Sequence, residues 1–356
     1  MDAKLLRKLA QREADNTLRS LTQKSEGIDF FSNDYLGIAR DLDFSVTAKG
    51  GSTGSRLLSG NSIEAITCED TLARFFQVES ALVFNSGYAA NLGVFSSLPQ
   101  RGDTILYDES VHASIRDGIR LSFAKAISFA HNDVEDLQQK IKKAEGIVYI
   151  AVESLYSMDG DKGALNEIVA IASTYHAYLI VDEAHAVGVY GQNGRGLVDE
   201  LGLVSETFIR IVTFGKAWGF HGAAILASEN VKKYLVNFAR SFIYTTALPP
   251  SDYATLRHIC TTSNWSEHQQ QLQNNIHYFR SKSTLNLVSA SDSPIQILNF
   301  PKEKLPAVVS KLSSVAITTK AIFPPTVPEG KECIRLCLHS FNTQKEIDVL
   351  WEGLII

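Results

Sequence analysis

The sequence predicts an α/β fold, a mostly parallel seven-stranded sheet covered by helices and followed by a smaller C-terminal α+β domain. Three observations carry this. The first is length: at 356 residues a single core has usually stopped growing, so one large domain with a companion is expected. The second is an alternation from about Asn61 to Ala227. Apolar strand-like runs at 81–84, 104–107, 126–129, 147–152, 178–181, 208–212 and 223–227 are separated there by helical patterns, as in buried parallel strands joined by crossovers. The third is a change after Pro249-Pro250 to a long helical stretch around Trp265 to Phe279. Strands near 295–300, 315–318 and 333–338 and a closing helix capped by Thr343 and Glu346 follow it.

Taken in order, the opening MDAKLLRKLAQREAD has charges on both sides of Leu5, Leu6 and Leu9 and reads as a short surface helix, not as a signal or transit peptide. Asn61 followed by Glu64 predicts a capping box ahead of the periodic Ile63, Ile66, Leu72, Ala73 and Phe76. No repeat or low-complexity tract interrupts the chain, so the two parts should pack tightly. With 45% hydrophobic and 21% charged residues, disorder and fibres are excluded. The formal charge of −5 argues against a dominant nucleic-acid-binding surface. The four cysteines Cys68, Cys260, Cys333 and Cys337 are too scattered for a disulfide framework, which favours the cytoplasm. No apolar run approaches the roughly eighteen residues of a membrane span.

In open parallel sheets, ligands sit beyond the carboxyl ends of the strands, so the polar residues that follow each apolar run are the informative ones. Asn85-Ser86-Gly87-Tyr88 opens a helix whose free N–H groups suit a phosphate. Asp108-Glu109-Ser110-Val111-His112 brings an imidazole to the same edge. Glu153-Ser154-Leu155-Tyr156-Ser157-Met158-Asp159-Gly160-Asp161 reads as a site loop. Asp182-Glu183-Ala184-His185 places a carboxylate at the end of a buried strand, and Thr213-Phe214-Gly215-Lys216-Ala217-Trp218-Gly219 sets an amine between glycines. Asp182 and Lys216 are separated by about one strand-crossover-strand unit, so both can reach one crevice. An amine for a Schiff base, a carboxylate for a pyridinium nitrogen and a helix start for a phosphate are what pyridoxal 5'-phosphate requires of a protein.

The sequence resembles the α-oxoamine synthases, a pyridoxal-phosphate family of the aspartate-aminotransferase fold. The resemblance runs through Phe31-Ser32-Asn33-Asp34-Tyr35-Leu36-Gly37, the 51–61 segment GSTGSRLLSGN, Ser157-Met158-Asp159-Gly160-Asp161, Asp182-Glu183-Ala184-His185 and Thr213-Phe214-Gly215-Lys216, in family order over nearly the whole chain. It implies that Lys216 forms the Schiff base, Asp182 partners the pyridine nitrogen, His185 donates to the ring oxygen and His112 stacks on the ring. Ser86, Gly87, Tyr88, Ser157 and Thr213 would hold the cofactor from one subunit, and Thr245 and Thr246 would reach its phosphate from a neighbour, implying a homodimer. Arg335 would pair with the amino-acid carboxylate, with Arg19, Asn33 and Glu153 near the substrates. The implied division is 1–44 for an N-terminal helix and substrate-contacting segment, 45–238 for the cofactor domain and 239–356 for the small domain.

Within the family, Phe129-Ala130-His131-Asn132-Asp133-Val134, Phe238-Ala239-Arg240 and Pro324-Pro325-Thr326-Val327-Pro328 are most similar to the branch that condenses L-alanine with a pimeloyl thioester. The acyl group is carried by coenzyme A or acyl carrier protein, and 8-amino-7-oxononanoate is formed for biotin synthesis. The branch usually has an arginine where this chain has Phe323, and a small residue where it has His221. Another family reaction, such as glycine C-acetyl transfer, is the alternative. A DEAH-box nucleic-acid ATPase is a remote one, because Gly215-Lys216 comes after the box, is followed by Ala217 and lacks the first glycine of a phosphate loop, at Arg210. The intact lysine, aspartate and histidine set argues against a silent scaffold. Cys333 and Cys337 lack the partners of a zinc site, and no metal is expected.

Overall fold

The computed structural model of the chain describes residues 2–15, 18, 21, 27–41, 48–283, 287–324 and 327–354. A two-residue strand, β1 (Ile28–Asp29), precedes the large sheet. That sheet contains β2 (Ser80–Phe84), β3 (Thr104–Asp108), β4 (Lys125–Phe129), β5 (Val148–Glu153), β6 (Tyr178–Asp182), β7 (Ile209–Thr213) and β8 (Ala223–Ala227) in the order β2-β8-β7-β6-β5-β3-β4. All seven expected runs are strands. Five of them, from β7 through β4, lie parallel, while β8 is antiparallel to both β7 and β2. The segment between β7 and β8 is too short for the crossover that a parallel pair needs, so the chain turns back on itself.

Successive strand residues face opposite layers. Leu106, Val152, Val181 and Val212 join one core cluster, whereas Ile105, Ala151, Ile180 and Ile211 join the other. The first cluster continues without a break into the C-terminal part through Ile297, Leu336 and Leu350. There β9 (Ile295–Asn299) and β12 (Cys333–Cys337) pair antiparallel. Of the run expected at 315–318, Ile317–Thr318 forms a strand, β10, which leaves this sheet and pairs parallel with β1; β11 (Lys320–Ile322), which was not expected, flanks β12. The N-terminal segment is thereby tied to the C-terminal one, with Cys337 N–H donating to Phe30 O at 2.8 Å and Ser340 N–H to Tyr35 O at 2.8 Å. The opening helix, Asp2–Ala14, is exposed from Ala3 to Ala14.

One expected cap is corrected. Ser62, not Asn61, caps the helix Ile63–Phe75, its hydroxyl accepting from Ala65 N–H at 3.2 Å, while Asn61 Oδ1 accepts from Arg56 Nε at 2.9 Å. The helix begins one residue later than an Asn61 cap requires, so the serine accepts from the third residue of its first turn, Ala65. Among the described residues no helix is long and apolar enough to cross a membrane.

Candidate active site

The carboxyl edge of the large sheet opens into a cavity of about 260 Å³. It collects Asn33, Ser86, Gly87, Tyr88, His112, Glu153, Asp182, His185, Thr213 and Lys216 from segments far apart in sequence. Lys216 lies just past β7 on a turn held by Trp218, a fully buried indole packed against Phe76, Phe214 and Trp265 with ring centroids 5.9, 4.8 and 5.0 Å away. Gly219, at φ +62°, brings this turn against the 38–39 backbone, where a Cβ would lie 2.2 Å from Ala39 N; only glycine fits.

Lys216 Nζ has no hydrogen bond or ion pair among the described residues. Burial lowers its pKa, the charges of Asp182 and Glu153 oppose that, and Arg335 adds to it. Asp182, at the end of β6, is buried; its Oδ1 accepts from Ala184 N–H at 2.9 Å and its Oδ2 from Asn91 Nδ2 at 2.7 Å. Two donated hydrogen bonds satisfy a carboxylate in a dry place. Glu153, at the end of β5, has its carboxyl pushed up to about 8 by burial and by Asp182, against the opposing charge of Lys216 and the His112 N–H that it accepts at 2.6 Å. His112 caps the helix Ala113–Leu121, its Nδ1 accepting from Ser114 N–H at 3.2 Å.

Ser86 caps the helix Gly87–Ser97, its hydroxyl accepting from Ala89 N–H at 3.1 Å. A Cβ on Gly87 would come within 2.5 Å of Thr213 Cγ2, so glycine there leaves the helix start open against β7. Tyr88 stands exposed at the rim, its hydroxyl donating to Asp117. His185 Nδ1 lies 2.7 Å from the Tyr35 hydroxyl. Burial first, then Lys216, Arg335 and His112, drive the His185 pKa well down, so the imidazole is neutral.

Arg335 on β12 borders this network without lining the cavity. Its Nε donates to Ser157 O at 2.7 Å and its Nη2 to Asn33 Oδ1 at 3.1 Å. Ser157, expected at the cofactor, accepts at its carbonyl from Arg335 and does not line the cavity. Thr245 and Thr246 lie outside their own chain's cavity, where Asn85 Nδ2 donates to Thr245 Oγ1 at 3.3 Å and Thr246 O at 2.8 Å. Phe323 packs on the core and lines a separate groove with Pro306 and Val309. Arg19, Pro325 and Thr326 lie outside the described residues.

Two residues given no role above belong to the site. Asn91 holds Asp182, and its place one helical turn after Gly87 was the available signal. Tyr35 stood in a quoted motif, but its contact with His185 joins positions 150 apart, which no local pattern reveals.

A half-buried amine without a partner among the described residues, a buried carboxylate held by donors and an open helix start share one cavity, which is the donor set that pyridoxal phosphate fits. The fold and this set define a pyridoxal-phosphate enzyme. Residues 25–354 match the family model described as aminotransferase class I and II. An 8-amino-7-oxononanoate synthase of Emericella nidulans is 40% identical over 386 aligned residues, covering 97% of this chain and 93% of the relative. Among solved structures, the 8-amino-7-oxononanoate synthase of Francisella tularensis is 30% identical with a TM-score of 0.77, over 93% of this chain and 97% of that one. A serine palmitoyltransferase of Sphingomonas wittichii is 28% identical with a TM-score of 0.91, over 99% and 96%. The chain belongs to the aminotransferase class I and II family and, within it, to the pyridoxal-phosphate-dependent α-oxoamine synthases.

Proposed function

We propose that this chain condenses L-alanine with a pimeloyl thioester, of coenzyme A or acyl carrier protein, to 8-amino-7-oxononanoate in biotin biosynthesis. The observation that carries the reading is the half-buried amine of Lys216, without a hydrogen-bond or ion-pair partner among the described residues and facing Asp182 and Glu153, in a chain with a 40% identical relative of that activity. A bond forms between alanine Cα and the thioester carbonyl carbon, the C–S bond breaks to release the thiol, and the alanine carboxylate leaves as carbon dioxide while Cα takes up a proton.

Bound pyridoxal phosphate supplies an electron-withdrawing ring conjugated to the substrate nitrogen. Lys216 anchors the cofactor and then, as a neutral amine made available by its lowered pKa, removes and returns the proton at Cα. Asp182, oriented by Asn91 and the Ala184 N–H, keeps the ring nitrogen protonated. His112 packs on the ring. His185 faces the ring oxygen through Nε2, its Nδ1 lying against the Tyr35 hydroxyl; Nε2 donates when that hydroxyl turns its proton from Asn33 Oδ1 to Nδ1. Arg335 holds the amino-acid carboxylate in a fixed fork, since Ser157 O and Asn33 Oδ1 already set its plane. In this reading residues 1–44 meet the substrates, 45–238 form the large cofactor-binding domain and 239–356 the small domain that carries Thr245, Thr246 and Arg335.

The working unit is a homodimer in which Thr245 and Thr246 reach the neighbour's phosphate. Leu57 and Leu58 support it, being 50% and 82% exposed on a segment bonded to the 245–247 stretch through Gly54 O and Ala247 N–H at 3.0 Å. The four cysteines are free and buried, which suits the reducing cytoplasm. Thiol release from pimeloyl-coenzyme A, compared with alanine, glycine and serine as amine, tests the reading. Alanine is expected to be the best amine; a faster reaction with glycine or serine would move the chain to another branch of the family.

A further inference from the structure

His221 is an exposed imidazole that lines the Lys216 cavity and makes no hydrogen bond among the described residues. Strand register locates it. Ala223, the first residue of β8, pairs with Phe84, the last of β2, on one side and with Thr213, the last of β7, on the other. Off that common edge the chain runs to Ser86 and Gly87 from β2, to Gly215 and Lys216 from β7, and backward through Gly222 to His221 from β8. The three segments pack closely: a Cβ on Gly222 would lie 3.2 Å from Phe84 O, and one on Gly87 2.5 Å from Thr213 Cγ2. His221 is thus set between the open helix start and the lysine turn, at the end of the cavity where an anion would sit.

Charge points the same way. A phosphate monoester carries about −1.5 to −2 at neutral pH, more than a helix start of about half a charge offsets. The other basic side chains lining the cavity are committed elsewhere: Lys216 to the Schiff base, His185 to Tyr35, and His112 to its helix cap. Asp252, at the start of the helix Pro250–Thr262, couples electrostatically to His221 but takes no hydrogen bond from it.

We propose that His221 is a phosphate-binding residue, donating an imidazole N–H to the cofactor's phosphate monoester beside the Gly87 helix start. The proposal rests on the pyridoxal-phosphate reading and adds a ligand from this chain's own turn. It is tested by titrating the full-length apoprotein with pyridoxal phosphate and, separately, with pyridoxal, which lacks the phosphate. Borohydride-trapped incorporation gives the dissociation constants. In His221→Ala, the affinity for pyridoxal phosphate should fall about tenfold or more with that for pyridoxal unchanged, and His221→Gln, which keeps an N–H donor, should recover part of the loss. Unchanged pyridoxal-phosphate affinity, or equal weakening of both ligands, would overturn the assignment. If the unaltered protein takes up neither ligand, the cofactor reading itself falls and this proposal with it.

Discussion

Lys216 and the acids facing it show how burial turns ordinary side chains into reagents: it lowers the amine and raises Glu153 to about 8, while Asp182 is held by two donors. Asp182→Asn keeps the shape and removes the charge. Turnover should fall about a hundredfold, with the dissociation constant of pyridoxal phosphate changing far less; equal loss of both would deny Asp182 its electronic role. Glu183, next in the chain, has a different task. It forms a buried ion pair with Arg210 at 2.6 Å and accepts from Val198 N–H at 2.9 Å. The second letter of the apparent ATPase box is therefore a structural anion beneath the site. Glu183→Ala should cost about 3–5 kcal/mol in denaturant unfolding, because it strands a buried guanidinium; a loss below about 1 kcal/mol would contradict that role. The residues legible in the sequence were those at strand ends, where position alone implies an edge. Asn91 offered only its place one turn after Gly87, and Tyr35, which acts through a contact 150 positions away, was not legible.

Among elements, the seven strands were legible because each is a continuous apolar run ending in turn residues, whereas β1, two residues long, carries no period to detect, and β10 was read as a strand without its partner β1. The loop after β5 is held by His131, whose Nδ1 lies 2.9 Å from Asp108 Oδ1 and Nε2 3.0 Å from Asp161 Oδ2, with Tyr156 edge-on at 4.4 Å. Burial would lower His131, but bonds to the two carboxylates outweigh it and raise the pKa to about 10. The sign follows: the folded protein binds this proton more tightly than the unfolded chain, near 6.5. The stabilisation is complete below that value and is lost as pH rises through about 10. His131→Gln should therefore be less stable than the parent by about 1–3 kcal/mol at pH 6, the gap closing toward pH 10. A gap independent of pH would show that the imidazole acts by packing alone.

At the scale of the whole molecule, the chain closes on itself, its N-terminal segment joined to the C-terminal part through β1 and β10, so Asn33 from one end and Arg335 from the other meet beside the cavity. Composition and alternation made the two-part layout legible; the end-to-end clasp was not, since it depends on two short strands that only a folded core brings together. A shared-site dimer predicts complementation. Lys216→Ala mixed with a Thr245→Ala, Thr246→Ala chain should regain about a quarter of native activity, since half the dimers then hold one intact site; no recovery from two inactive parents would place all cofactor contacts within one chain.

The central claim is that Lys216 carries the cofactor, and the most direct measurement is borohydride reduction of the reconstituted protein followed by peptide mapping. One adduct per chain on Lys216 is expected, its formation suppressed by prior addition of L-alanine and absent in a folded Lys216→Ala variant. An adduct on a different lysine, or none, would contradict the account.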